Sequence, residues 1–192
     1  MKTKIIESFS NGDTLFPYFS PATRYIDDNG AKVPLIAFLI NQIDPDSDKD
    51  LLLKQKSIIK GLINSRDSHG RFEININNHT KTRLGTNNYK ALDIALINGY
   101  GDIAREILKR EDISLIKPVI LIKGHSEYYK TPFAFAVDHY PAIAKEIIDK
   151  KMIDTIKPVY YSSFEKYNAR EYVCSKLGNE LSSNVLENDL PF

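Results

Sequence analysis

Residues Tyr100–Val119, YGDIAREILKREDISLIKPV, return forty residues later as Tyr140–Val159, YPAIAKEIIDKKMIDTIKPV. Ten positions are identical: Tyr100/Tyr140, Ile103/Ile143, Ala104/Ala144, Glu106/Glu146, Ile107/Ile147, Ile113/Ile153 and the tetrapeptide IKPV at 116–119 and 156–159. An internal repeat of this period marks stacked supersecondary units, each hiding its apolar face against its neighbours. That constrains the chain toward an extended binding surface more than toward one deep pocket.

Within a unit the spacing is helical. Ala91, Leu92, Ile94, Ala95 and Leu96 form one apolar stripe ending at Asn98-Gly99, and Ile103, Ala104, Ile107 and Leu108 form a second. Asp102 falls in the first turn of that second helix, where a carboxylate complements the helix dipole. Two short antiparallel helices joined by a tight turn are expected. The following unit opens at Thr131-Pro132, proline being favoured at a first helical position, and continues through Phe133, Phe135, Ala136 and Val137. Its first helix aligns at a shift of 41 and its second at 40, so one residue is missing from its inter-helix turn.

These units resemble the ankyrin repeat, carried here by Lys130-Thr-Pro-Phe-Ala-Phe-Ala-Val, by Lys90-Ala-Leu-Asp-Ile-Ala-Leu and by Asn98-Gly99-Tyr100-Gly101-Asp102-Ile103-Ala104. An earlier copy opens at Val33-Pro34-Leu35 with its second helix over 51–64, and a degenerate one spans 169–186 with Gly178 at its turn. The resemblance implies an all-α, ankyrin-like helical-repeat solenoid of about four units, near 31–70, 88–120, 129–160 and 168–188. Residues 1–30 would form a cap or irregular segment, including Phe16–Pro21, and 31–192 the repeat domain. The period of 40–41 exceeds the family's and its turn histidine is absent. The extra length is expected in β-hairpin fingers: one in the segment 71–84, where Arg71–Asn77 alternates, and one over 117–130 around Gly124-His125.

Bulk properties narrow the function classes. A formal net charge of +1 gives no electrostatic case for nucleic acid or an anionic membrane. Apolar stretches such as Val119–Ile122 are too short for a bilayer, and no signal-peptide hydrophobic region stands near the start. A single cysteine, Cys174, precludes an intramolecular disulfide and fits a reducing compartment. A cytoplasmic protein is expected. The resemblance to ankyrin-like proteins that intracellular bacteria deliver into host cells adds a host cytoplasm as a second location.

No metal or cofactor motif is present. Asp44–Asp50 places carboxylates at alternate positions but has Lys49 and Gln55 where a calcium loop needs glycine and glutamate, so an acidic helix start capped by Asp48 or Asp50 is the reading. His69, His79, His125 and His139 show no ligand spacing, and Cys174 is expected as a small buried hydrophobe of a first helix. No catalytic residue, cofactor or metal is expected.

Tyrosine stands out: nine of the eleven fall between 89 and 172. Tyrosine supplies large rigid contact area with a polar tip, and it concentrates at recognition hot spots. Ankyrin-like arrays are protein-recognition scaffolds, so the resemblance implies a monomer binding one protein partner through its concave or finger surface. The candidate contact residues are Tyr128, Tyr129, His139, Tyr140 and Tyr161, with Asp93, Asn98 and Asp138 as outward polar neighbours. Two other readings stay open: an enzyme with its site on the fingers or the N-terminal segment, recognisable by a cleft gathering His125, His139 and Cys174, and an assembly subunit with a large apolar self-interface.

Overall fold

A computed structural model describes residues 2–13, 24–26, 32–78, 89–123, 126–154 and 156–186. Helix α1 (Lys2–Ser10) is followed by a short antiparallel pair, β1 (Arg24–Ile26) with β2 (Lys32–Pro34). Then come two helical hairpins, α2 (Leu35–Asn41) with α3 (Lys49–Asn64) and α4 (Ala91–Ile97) with α5 (Gly101–Leu108). Strands β3 (Val119–Lys123) and β4 (Ser126–Lys130) precede the hairpin α6 (Pro132–His139) and α7 (Pro141–Asp149). Strands β5 (Pro158–Ser162) and β6 (Lys166–Asn168) lead into α8 (Ala169–Leu186), which breaks at Gly178, where φ is 69°. The segment Phe16–Pro21, the turn Gly124-His125 and residues 79–84 of the expected first finger lie outside the described residues.

The expectation of an all-α solenoid is corrected. Strands β3 to β6 form one four-stranded antiparallel sheet in sequence order, so the chain is mixed α/β. The reason is lateral pairing. Tyr128, Tyr129 and Lys130 of one finger pair with Ser162, Tyr161 and Tyr160 of the next, merging separate fingers into one sheet. The expected alternating strand at 71–77 is corrected too. Among the described residues this stretch holds only an isolated bridge, Arg66 with Phe72, and then turns. Its alternation reports burial, with Ile74 and Ile76 in the core, while its backbone is satisfied partly by turn bonds such as Glu73 N to Ser65 O and partly by side chains. Arg110, itself buried, donates to the carbonyls of Ile74 (2.7 Å) and Ile63 (2.9 Å) and pairs with Asp112. Its guanidinium covers one side of Phe72 at 3.8 Å and Arg66 lies 3.9 Å from the same ring.

The helices follow the sequence closely. Asp48 caps α3 by accepting from the backbone N–H of Asp50 and Leu51, and Thr131 caps α6 by accepting from Ala134 N at 3.3 Å. The first helices lie side by side, α2 on α4, α4 on α6 and α6 on α8, with α3 against α5 and α7 against α8. Ala37, Ala91, Ala95, Ala104, Ala134, Ala136, Ala144 and Ala169 are all at zero exposure, as close helix approach requires. The missing turn residue is visible. Tyr100 N reaches Ala95 O five residues back across Gly99 (φ 85°), whereas Tyr140 N reaches Ala136 O four residues back.

The repeated tyrosines join successive hairpins. Tyr100 Oη donates to Ile43 O, just past α2, at 3.2 Å, and Tyr140 Oη donates to Gly99 O, just past α4. A Cβ on Gly101 would sit 3.1 Å from Tyr140 Cε1, so the glycine there lets the tyrosine ring lie across the turn.

Enlarging Ala104 to leucine should overpack the helix layer and lower unfolding free energy by about 1–3 kcal/mol; an unchanged denaturation midpoint would remove the close-packed register. Tyr100→Phe leaves the Ile43 carbonyl buried without its donor and should cost about 1–3 kcal/mol, whereas Tyr140→Phe, at an exposed bond, should cost about 1 kcal/mol or less. Equal costs in the same denaturation series would contradict this ranking.

Candidate recognition site

Register and burial divide the sheet into two faces. Val119, Lys130, Tyr160 and Tyr167 stand in one cross-strand row, and Leu121, Tyr128 and Ser162 in another. Val119 and Leu121 are buried, and Tyr160 lies 5.5 Å from the ring of Tyr172 on α8, so these rows face the helices. Ile120, Tyr129, Tyr161 and Lys166 form the row between, on the opposite face. There Tyr129 and Tyr161 stack at 4.4 Å and 10°, beside a partly exposed Ile120. Burial raises the Tyr161 phenol above its ordinary range, with Tyr129 adding to the shift.

On the helix side a cleft of about 500 Å³ opens between the sheet and α8. Its walls are Tyr128, Tyr160 and Tyr172, with Lys130, Lys176 and the exposed turn residue Phe164 around them. Ser162 shapes that turn: its Oγ accepts from Phe164 N at 3.2 Å and Glu165 N at 3.1 Å, and Phe164 projects at 91% exposure. Behind the cleft, Tyr172 Oη donates to both oxygens of Asp138 (3.0 and 3.2 Å), and the Lys130 ammonium pairs with the same carboxylate. Burial, then the adjacent Asp138 carboxylate, push the Tyr172 phenol well up.

Four of the expected contact residues fall on this surface: Tyr128 in the cleft, Tyr129 and Tyr161 on the outer face, and Asp138 as the joint among β4, α6 and α8. His139 is exposed at the end of α6, its ring parallel to Phe135 at 6.4 Å. Tyr140 and Asn98 sit apart from the sheet. Tyr140 clasps the preceding turn, and exposed Asn98 donates to Asn41 Oδ1 at 3.3 Å between successive turns. Tyr172 and Lys176 were missed by sequence reasoning, whereas Phe164 belongs to the aromatic run after Tyr161 that the sequence shows. The signal for Tyr172 was present, since it opens the next first helix just past the Tyr160-Tyr161 strand.

Asp93 is corrected outright. It was expected to face outward, and it is fully buried, because α4 is covered by α2 on one side and α6 on the other. Its Oδ2 accepts from Lys90 N at 2.9 Å, a backbone cap at the helix start, while Oδ1 has no hydrogen-bond partner among the described residues. Burial raises its carboxyl to about 6, against the pull of the Lys90 charge. Lys90 is buried as well: its ammonium donates to Lys117 O, and burial lowers its pKa. Cys174, expected to be buried, is exposed, because its neighbours Tyr172 and Val173 take the inward positions on α8.

Among the described residues no group of three or more His, Cys, Asp or Glu side chains is placed to hold a metal ion, and no helix is long and apolar enough to cross a membrane. The cleft lining includes neither His139 nor Cys174, and His125 lies outside the described residues. Comparison with protein-family models, curated proteins and solved structures found no match.

Asp93 generates a pH signature. A carboxyl held near 6 when folded, against 3.8 otherwise, keeps a proton that the unfolded chain releases. Its stabilising share is therefore complete below about pH 4 and lost as pH rises past about 6, by about 3 kcal/mol at roughly 1.4 kcal/mol per unit. Relative to Asp93→Asn, the wild-type unfolding free energy should fall across that window in parallel denaturation curves. A difference that stays flat from pH 4 to 7 would place the carboxyl in contact with water.

Proposed function

We propose that this chain is a protein-recognition module without catalytic chemistry of its own, working as a monomer on one protein partner. The observation that carries the reading is the outer sheet row, where Tyr129 and Tyr161 stack beside Ile120 on a four-stranded support. Rigid, half-exposed aromatic area is what hot spots are made of. The sheet is anchored from behind by Asp138, Lys130 and Tyr172, which reduces the ordering that association would demand. The ankyrin-like character of the Lys90 and Lys130 units supports the same class of function by resemblance. A cytoplasmic setting, in the source cell or in a host, accords with the one cysteine.

The test is capture of partners on the immobilised chain followed by titration of each against variants. Tyr161→Ala removes a cross-strand pair, costing up to about 1 kcal/mol of stability, and should weaken the genuine partner by about 2 kcal/mol or more. Leu53→Ser, on the exposed side of α3, should leave that affinity unchanged. A partner held equally by wild type and folded Tyr161→Ala would move recognition off this face.

A further inference from the structure

The cleft on the helix side of the sheet carries a charge that the outer row does not explain. Lys130 and Lys176 both line it, but only one is committed. The Lys130 ammonium meets the Asp138 carboxylate and lies 4.7 Å from the Phe135 ring centroid. Lys176 is exposed on α8, and its ammonium has the Tyr172 ring, 5.5 Å to the centroid, with no carboxylate at ion-pair distance among the described residues. Among the described residues the lining holds one carboxylate, Glu127.

This arrangement discriminates against a cationic ligand. Three tyrosine rings would ordinarily suit an ammonium group, yet Lys176 already lies over Tyr172 and a second cation there meets like charge. The Tyr172 hydroxyl is also spent, donated to Asp138. An anion finds the reverse: an ammonium that no carboxylate among the described residues reaches at ion-pair distance, beside the serines of the β5–β6 turn. Next to that cation are apolar walls, Tyr128 and Tyr160 within and Phe164 at the rim. Backbone N–H bonds to Ser162 Oγ hold the Phe164 turn before anything binds. A volume of about 500 Å³ holds two adjacent side chains of a peptide, not a folded surface.

We propose that this cleft takes an extended segment of a protein partner carrying a carboxylate beside an aromatic or apolar residue. The carboxylate meets Lys176, and the apolar neighbour lies against Phe164 and Tyr160. The inference rests on the protein-recognition reading and assigns it a second contact point with a defined chemistry.

The probes are three blocked tetrapeptides bearing glutamate, glutamine or lysine beside phenylalanine, with phenyl phosphate as a fourth. Each is titrated into the full chain by calorimetry at low salt. The glutamate peptide should bind at least tenfold tighter than the glutamine peptide, with the lysine peptide weaker still and phenyl phosphate no better than the glutamate peptide. Lys176→Met should erase the glutamate preference, and Lys176→Glu should reverse the order of the glutamate and lysine peptides, both with unchanged circular dichroism. Equal binding of glutamate and glutamine peptides would overturn the proposal, as would binding of none. Preference for lysine would make the cleft a cation cage, and a tenfold preference for phenyl phosphate would make it a phosphoryl site; either result also overturns it. Peptide discrimination together with failure of Tyr161→Ala to affect any captured partner would leave the cleft standing and sink the outer-face reading. The opposite pair of results would sink the cleft alone.

Discussion

The first helices α2, α4 and α6 are too short to hold themselves together. Helices α2 and α4 have seven residues and α6 has eight, while isolated helices shorter than about 12–15 residues are marginal in water. Their existence depends on lateral packing, α2 against α4 and α4 against α6, with alanines at the close approaches and Leu92 or Phe133 filling the space between. Every other feature inherits that constraint. A helix covered on both flanks has few positions left for solvent, so a polar residue on it is forced into a structural task. Asp93 caps its own helix start from inside the core, where the aligned position one unit later is Ala134 behind a Thr131 cap.

The same logic explains why the repeat was legible and the roles of its tyrosines were not. Identical residues at matched positions show that two segments do one job, and they fixed the helix pairs, the shortened turn and the buried alanines. Tyr100 and Tyr140 were among those identities, and matched identity in a repeat favours contacts between units over contacts with a partner. Compositional reasoning pulled Tyr140 the other way, because tyrosine clusters at interfaces. Glycine at 99 and 101 was the neglected clue: a turn with a left-handed residue and a bare Cα beside it has room for a ring to lie across it.

The sheet was the least legible part, for a reason of range. A helix start or a hairpin is specified by residues within a few positions of one another, and 117–130 was recognisable on its own terms. Pairing Tyr129 with Tyr161 is specified by nothing local. It follows from helix layers that set two fingers one strand apart, so sequence reading yields fingers where the chain builds a sheet. Residues 71–77 fail in the opposite sense. Their alternation is real in burial, but a strand needs a partner edge, and Arg110 supplies the donors for Ile63 and Ile74 that such an edge would have offered.

Joining the fingers also changes what the surface can do. A lone hairpin is marginally stable and would have to be ordered on contact. Here Asp138 takes a hydrogen bond from Tyr172 and a charge pair from Lys130, tying β4 and α8 to the end of α6. The outer tyrosine row and the inner cleft are two sides of the sheet held by that joint, one built by stacking and the other around a cation that no described carboxylate pairs. Loss of the Asp138 carboxylate would strand the Lys130 charge and free the Tyr172 hydroxyl, displacing both surfaces at once although Asp138 is itself neither in the outer row nor a cleft-lining residue and acts through Lys130 and Tyr172, which line the cleft. An effect of Asp138 on binding would therefore report geometry. Contact is reported by the residues the joint holds in place, Tyr161 on one side and Lys176 on the other.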